Sequence, residues 1–282
     1  MSDKIVRDYF KPNFIAYLDI LGYKSIFEGT TIYSKFGTNA ATGEEVLFAQ
    51  DKALTPYLFS NDIEHYIATS KNLLNMFNVD IKQKVFSDNF LFCTTNDWTE
   101  LLVFVTILQA LFVEQGIFIR GSLCHGDLHY SEDFISGSGL IKAVELESNA
   151  KSPRIIIDNS FYEAASKIVS SENGTSDTMD SLFAWSEKVG YCIKDSDGKA
   201  IVDYLGNLRV NVSGDATDGY LNLESVLSRH KFWISHYANA TQIMGVFDKY
   251  KWCMDYHNNF CTQYGYTDFL IDKISITYYG NT

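Results

Sequence analysis

Between Phe14 and Tyr23 the chain reads FIAYLDILGY. Phe14, Ile15, Tyr17, Leu18, Ile20 and Leu21 make a buried strand that turns at Gly22, yet Asp19 sits inside the run. An ionised carboxylate in an apolar setting costs about several kcal/mol unless something compensates it. Any fold for this chain must therefore supply Asp19 with a counter-charge.

A second acid has the same character. KQKVFSDNFLFCTT alternates aromatic and β-branched residues around Ser87-Asp88-Asn89, the pattern of a β-hairpin with Asp88 at its turn. Between the two acids, residues from about 28 to 61 are polar and turn-rich and read as an inserted excursion with a short helix. Ile63, Tyr66, Ile67, Ser70, Leu73, Leu74 and Phe77 follow at helical spacing, with Asn61 or Asp62 as the N-cap.

A helix from Trp98 to Gln115 is expected next, opened by Asp97 and Glu100 in capping-box spacing. GIFIRGSLCHGDLHYSED reads as a strand, a glycine-marked bend and a further strand. GLIKAVELESNA is helical, Pro153 stops it, and PRIIID returns as a strand. CIKDSDGKAIVDYL is a hairpin turning at Asp197-Gly198. Two aromatic-rich helices fill Leu223 to Gln263. Strand, helix, hairpin, helix, strand pair, helix, strand is an α+β order, with helices layered on one sheet face.

In strand–helix–hairpin order the end of the first strand lies beside the hairpin turn, so Asp19 and Asp88 converge. Two such carboxylates repel unless cations intervene. Magnesium typically takes one or two carboxylates plus substrate phosphates, so a metal is expected to compensate Asp19. Gly22 permits the tight turn from which backbone N–H groups would cradle a phosphate.

The formal net charge of −12 argues against nucleic acid or an anionic membrane as a partner. Cys93, Cys124, Cys192, Cys253 and Cys261 are odd in number and form no CxxC, neither a disulfide framework nor a zinc site. MSDKIVRDYF has no apolar h-region, and LLVFVTILQALFV is too short to span a bilayer. These features imply a reduced, cytoplasmic protein. His125 and His129 form an H-x-x-x-H around a glycine bend without a third ligand, and Ser136-Gly137-Ser138-Gly139 reads as a polar turn.

FIAYLDILGY and VFSDNFLF together resemble the class III nucleotide cyclases, in which a strand ends in an aspartate before a hydrophobic-Gly-aromatic turn and a hairpin carries a second aspartate. IFIRGSLCHGDLHY is similar to the family's Arg-x-Gly strand, and ISGSGLIKAVELES to its Gly-x-x-(V/L)-x-x-A-x-x-L-E helix. The resemblance covers Phe14 to Asp158. YLDILG, FSD, RGSLCHGDL, AVELES, PRIIID, DSDG and VDYL, in that order, resemble the bacterial pyrimidine cyclases of Pycsar antiphage defence.

The resemblance implies a ferredoxin-like palm in a catalytic unit over 1–210, with a helical extension over 211–282 packed on the same domain. It implies a lyase that converts UTP or CTP to the 3′,5′-cyclic monophosphate. Two Mg²⁺ or Mn²⁺ ions would be held by Asp19, Asp88 and the Ile20 carbonyl, with phosphate at Leu21, Gly22 and Tyr23. It implies a homodimer with composite sites, and a separate effector that senses the product. The family's transition-state Asn and Arg fall here at Ile141 and Glu145, which cannot do that work. Arg120, Lys142, Lys151 and Arg154 are the available cations, and Arg154 is preferred because Arg matches phosphate best. Lys84 stands at the base-reading position, and Phe134 replaces the base-reading acid, a change that suits a pyrimidine. Two other classes stay open: an inert nucleotide-binding module, and a palm-like enzyme making another nucleotide product.

Overall fold

The computed structural model describes residues 9–28, 34–38, 45–49, 53–74, 80–173, 176–211 and 222–274. The first half holds β1 (Lys11–Ile20), α1 (Tyr23–Phe27), β2 (Ser34–Thr38), β3 (Glu45–Ala49), α2 (Thr55–Leu74), β4 (Lys82–Phe86), β5 (Asn89–Thr94) and α3 (Trp98–Glu114). Then come β6 (Ile119–Tyr130), β7 (Ile135–Ser136), α4 (Ser138–Ala150), β8 (Ile155–Ile157), α5 (Asn159–Asn173) and α6 (Met179–Lys188). The chain continues through β9 (Cys192–Lys194), β10 (Ala200–Val202), α7 (Tyr204–Asn211), α8 (Leu223–Ala240) and α9 (Met244–Tyr264).

The main sheet runs β4-β5-β1-β6-β8-β10-β9. Its pairings are antiparallel except for β6 with β8. Within it, β1-α2-β4-β5-α3-β6 is the βαββαβ order of a ferredoxin-like unit. The α+β class expected from the sequence is therefore present, but helices cover both faces of the sheet where one was expected.

Strand β1 is central, and its two faces explain the opening run. Phe14, Ala16, Leu18 and Ile20 enter a core built with α2, α3 and α5. Ile15 enters a smaller core beneath α4, with Leu91, Cys93, Cys124 and Leu128. Most helices gather on the first face, and α4 covers the second. It can lie close because two glycines meet: a Cβ on Gly126 would come within 2.7 Å of the Gly139 Cα. Gly121 and Gly126 thus sit inside one continuous strand, where the sequence suggested a bend.

Helix α3 is apolar almost all round, and such a helix must be covered on all sides. Leu101, Leu102, Phe104, Val105, Leu108 and Phe112 face the sheet core. Ala110, Leu111 and Val113 join Trp233, Ile234 and Phe260 of α8 and α9. Each large side chain so buried contributes about 1.5–3 kcal/mol, so the C-terminal helices are continuous with the palm.

Four local expectations change. Helix α2 begins at Thr55 rather than Asn61, because Pro56 is tolerated in a first turn. The 28–61 excursion holds the β2–β3 hairpin among its described residues. Asp97 makes no side-chain cap; its carboxylate instead accepts from the Thr94 hydroxyl at 3.0 Å. Helices α5, α6 and α7 went unread, although Thr178 and Ser181 form a reciprocal capping box at α6. Residues 29–33, 39–44, 50–52, 212–221 and 275–282, on which parts of the excursion and extension fall, and 75–79, which hold Phe77, lie outside the described residues.

Candidate active site

In the antiparallel ladder Asp19 faces Arg120 on β6 and Asn89 on β5. Paired residues point to the same side of a sheet, here the side covered by α4. Arg120 Nε donates to Asp19 Oδ2 at 2.9 Å and lies 2.5 Å from Glu147 Oε1 of α4. The counter-charge expected from a metal is therefore supplied in part by an arginine held between two carboxylates. Burial pushes both carboxyls above the usual range and Arg120 opposes that; Asp88 raises both, and Asp19 also raises Glu147.

Asp88 arrives through the β4–β5 hairpin. Phe86 pairs with Asn89, so Ser87 and Asp88 form a two-residue loop. Ser87 has φ 60° while Asp88 has no positive φ, the pattern of a type II′ turn. The Asp88 carbonyl accepts the Ile20 N–H at 3.0 Å, which fastens the hairpin tip to the end of β1. Its Oδ1 accepts from Asn89 Nδ2 at 2.9 Å, and its charge adds to the upward shift of Asp19. The Tyr17 phenol on the same face is also pushed up, by burial and then by Glu147, Asp19 and Asp88.

The turn after β1 follows the sequence reading in part. Gly22 adopts φ 79° and starts α1. The Leu21 N–H is used, donating to the Phe118 carbonyl at 2.9 Å. Tyr23 stacks on Phe27 with ring centroids 4.3 Å apart.

Lys84 sits on the row of Leu91 and Tyr17, one step along the sheet from the Asp19 row and on the same face. Its ammonium donates to the Glu132 carbonyl, two residues from an exposed Phe134. The structure thus ties Lys84 to the turn that carries Phe134.

Arg154 calls for a correction. It also belongs to the Asp19–Arg120 face, but its side chain is only 8% exposed and binds Asp195 and, at 2.7 Å, Asp197. Its Nε donates to the Ala150 carbonyl at 3.1 Å. The guanidinium clamps the β9–β10 hairpin to the end of α4 and has no free edge for a phosphate. Lys142 is likewise engaged, with Asp158 and Ser160. Ile141 and Glu145 lie on the exposed side of α4, while Glu147 turns inward.

His129 stacks on Tyr9 at 3.7 Å, whereas His125 packs on Phe14. Among the described residues no group of three or more His, Cys, Asp or Glu is gathered as a metal cluster. At Ser136-Gly137-Ser138-Gly139 the backbone closes on itself. A Cβ on Gly137 would meet the Asp127 carbonyl at 2.2 Å.

Sequence reasoning missed two charged groups that act on Arg120. Glu147 was read only as part of a helix motif, although helical spacing from Ala143 to Glu147 and Ala150 marks the buried stripe of α4. Lys249 of α9 lies in electrostatic reach of Arg120, Asp19 and Glu147. Nothing in the local sequence announces it.

A ferredoxin-like palm whose central strand ends among three carboxylates, two of them from its own β-strand region and hairpin tip, is the class of site present. No family model matches the chain, and no curated protein matches it. Among solved structures it is similar to the adenylyl cyclase CyaB from P. aeruginosa, at 15% identity over 57% of this chain and 82% of that one, TM-score 0.34. It is also similar to the guanylyl cyclase domain of the RhoGC fusion protein from the aquatic fungus Blastocladiella emersonii. That match has 11% identity over 68% of this chain and 95% of that one, TM-score 0.41. A class III adenylyl cyclase-like ATP-binding protein from Pseudomonas aeruginosa matches at 14% identity over 64% and 44%, TM-score 0.36.

Proposed function

We propose that the chain is a nucleotide cyclase that converts a pyrimidine nucleoside triphosphate, with UTP favoured over CTP, to its 3′,5′-cyclic monophosphate and pyrophosphate. The observation that carries this reading is the meeting of Asp19 and Asp88 at the open end of β1, fixed by the Ile20–Asp88 backbone bond.

The donor set fits a hard divalent cation. Arg120 occupies Asp19 Oδ2 and Asn89 occupies Asp88 Oδ1. Among the described residues the other oxygen of each carboxylate accepts no hydrogen bond, and these two would hold the cation with the Ile20 carbonyl. The acids Asp19, Asp88 and Glu147 outnumber the cations Arg120 and Lys249. Magnesium or manganese bound there would lower the pKa of a ribose hydroxyl and neutralise a triphosphate.

In the reaction the ribose 3′-oxygen bonds to the α-phosphorus and loses its proton to water. The bond from the α-phosphorus to the bridging oxygen breaks, and pyrophosphate leaves with that electron pair. The protein contributes position and charge, which are the main terms in phosphoryl transfer. The N–H groups at the start of α1 border the phosphates, and Arg120 holds the Asp19 carboxylate in place. Lys84 and the apolar Phe134 border the base, and Phe134 disfavours a purine that needs an acid partner.

Ile141, Val144, Phe134, Val85 and Phe86 are exposed apolar side chains on α4, β4 and the turn before β7. They support a homodimer, with each active site completed across the interface. A cyclic product would act through a separate effector in antiphage signalling. Among the described residues no helix is long and apolar enough to cross a membrane.

A second reading, an inert nucleotide-binding module, draws on the engaged Arg154 and the exposed Ile141 and Glu145. Incubation with each of the four ribonucleoside triphosphates and Mn²⁺, with products resolved by mass, separates the two. A cyclic pyrimidine monophosphate lost in Asp19→Asn and Asp88→Asn is expected. Binding of nucleotide without turnover would select the inert module.

A further inference from the structure

The acid cluster has a neighbour that does not belong to the palm. Helix α9 is pinned at two points, one of them at the turn after β1. The Tyr250 ring packs on Phe118 at 5.5 Å, and Phe118 holds the Leu21 N–H at the turn after β1. Two residues on, Trp252 Nε1 donates to Asp195 Oδ2 at 2.9 Å, the carboxylate that also binds Arg154. Lys249 precedes the first of these anchors, half-buried, within reach of Asp19, Glu147 and Arg120.

Of the cations the sequence offered, Lys151 is exposed at the end of α4, and the rest are engaged. Arg120 lies between Asp19 and Glu147, Arg154 between Asp195 and Asp197, Lys142 on Asp158, and Lys84 on a carbonyl. Among the described residues, Lys249 is the cation in reach of Asp19 that has no carboxylate within ion-pair distance. A half-buried ammonium without a direct partner is costly, and it becomes favourable when an anion enters beside it. Burial pushes its pKa below the usual lysine value, and Arg120 adds to that.

We propose that Lys249 is a phosphate-binding residue of this site, delivered by the C-terminal helix to the polyphosphate tail of the substrate. It takes the place that Arg154 cannot fill. The assignment rests on the nucleotide reading above. It also gives the extension a function: α9 couples it to the catalytic end of the palm.

The test uses inorganic tripolyphosphate with Mg²⁺ as the probe, measured by calorimetry on the full chain. This readout needs neither the correct base nor turnover. Lys249→Gln should weaken binding by about tenfold or more, the scale of one lost charge-assisted hydrogen bond. Lys249→Arg should restore it. Lys251→Gln, on the same helix but paired with Asp255 at 2.7 Å, should leave it unchanged. Equal melting temperatures exclude misfolding.

The proposal is overturned if wild type does not bind tripolyphosphate, if Lys249→Gln binds as wild type, or if Lys249→Gln and Lys251→Gln weaken alike. Turnover of the four nucleotides on the same samples isolates the cyclase reading. Turnover with an unaffected Lys249→Gln sinks this proposal alone. Selective loss of tripolyphosphate binding in a protein that cyclises nothing supports the phosphate site and sinks the cyclase.

Discussion

Replacing Arg154 by Met separates a structural clamp from a transition-state cation. In the structure Arg154 and Asp195 are both nearly inaccessible, and removing one partner of a buried pair costs about 3–5 kcal/mol because a charge is left unpaired. Asp195 keeps three other donors, Trp252 Nε1 at 2.9 Å and the Ser196 N–H and hydroxyl at 2.6 and 3.2 Å. Asp197 is 39% exposed, so its share is small. The expected loss is therefore roughly 2–4 kcal/mol, and at about 2–4 °C per kcal/mol the melting temperature should fall by roughly 4–16 °C. In a double-mutant cycle Arg154→Met with Asp195→Asn should cost less than the sum of the single changes, because the orphaned charge is gone. At a temperature where Arg154→Met is folded, its turnover per folded molecule should stay close to wild type. An unchanged melting curve with abolished turnover would refute this reasoning and return Arg154 to the active site.

Three further outcomes are expected. Gly121→Ala would place a Cβ within 2.5 Å of the Tyr17 carbonyl between β1 and β6, and should cost about 1–3 kcal/mol in a denaturant titration; a neutral substitution would contradict the strand spacing. His257 is fully buried, its Nε2 bonded to the Phe269 carbonyl at 2.8 Å and its Nδ1 facing His230, and burial pushes its pKa down to about 4. The unfolded chain takes up this proton near pH 6.5 and the folded one near 4, so up to about 3 kcal/mol of stability present above pH 6.5 is lost as the pH falls across that window. Asp203, pushed up by burial, acts in the opposite sense, so the comparison is wild type against His257→Gln, whose acid slope should be shallower; identical slopes would exclude His257. Finally, burial raises the Asp19 carboxyl. Mn²⁺ affinity, read by electron paramagnetic resonance, should therefore weaken on acidification already above the ordinary carboxylate range near 4. A pH-independent affinity between 7 and 5 would count against Asp19 as a ligand.

Local pattern was enough to read the α+β order and to single out both aspartates, while the palm was implied by the family resemblance. The apolar run around Asp19, the alternation around Ser87-Asp88 and the Asp197-Gly198 turn each report chemistry settled within a few residues, so β1 and both hairpins were legible. Helices α5 to α7 were not, because their apolar stripes are interrupted by serine and charge, and their ends are fixed by caps more than by periodicity. The Asp19–Arg120 pair joins positions far apart in the chain through a ladder register that no local signal specifies. Glu147 faces inward only because Gly126 and Gly139 let α4 settle on β6. Arg154 looked available from composition, but β10 lies beside β8 and brings Asp195 and Asp197 against it. The role proposed for Lys249 depends on α9 being anchored at Phe118 and Asp195, contacts made far along the chain from the palm. The sequence alone determined which groups were out of place in apolar surroundings. Which charges they meet was decided by strand register and helix packing, since electrostatic pairing depends on distance in space and not on separation along the chain.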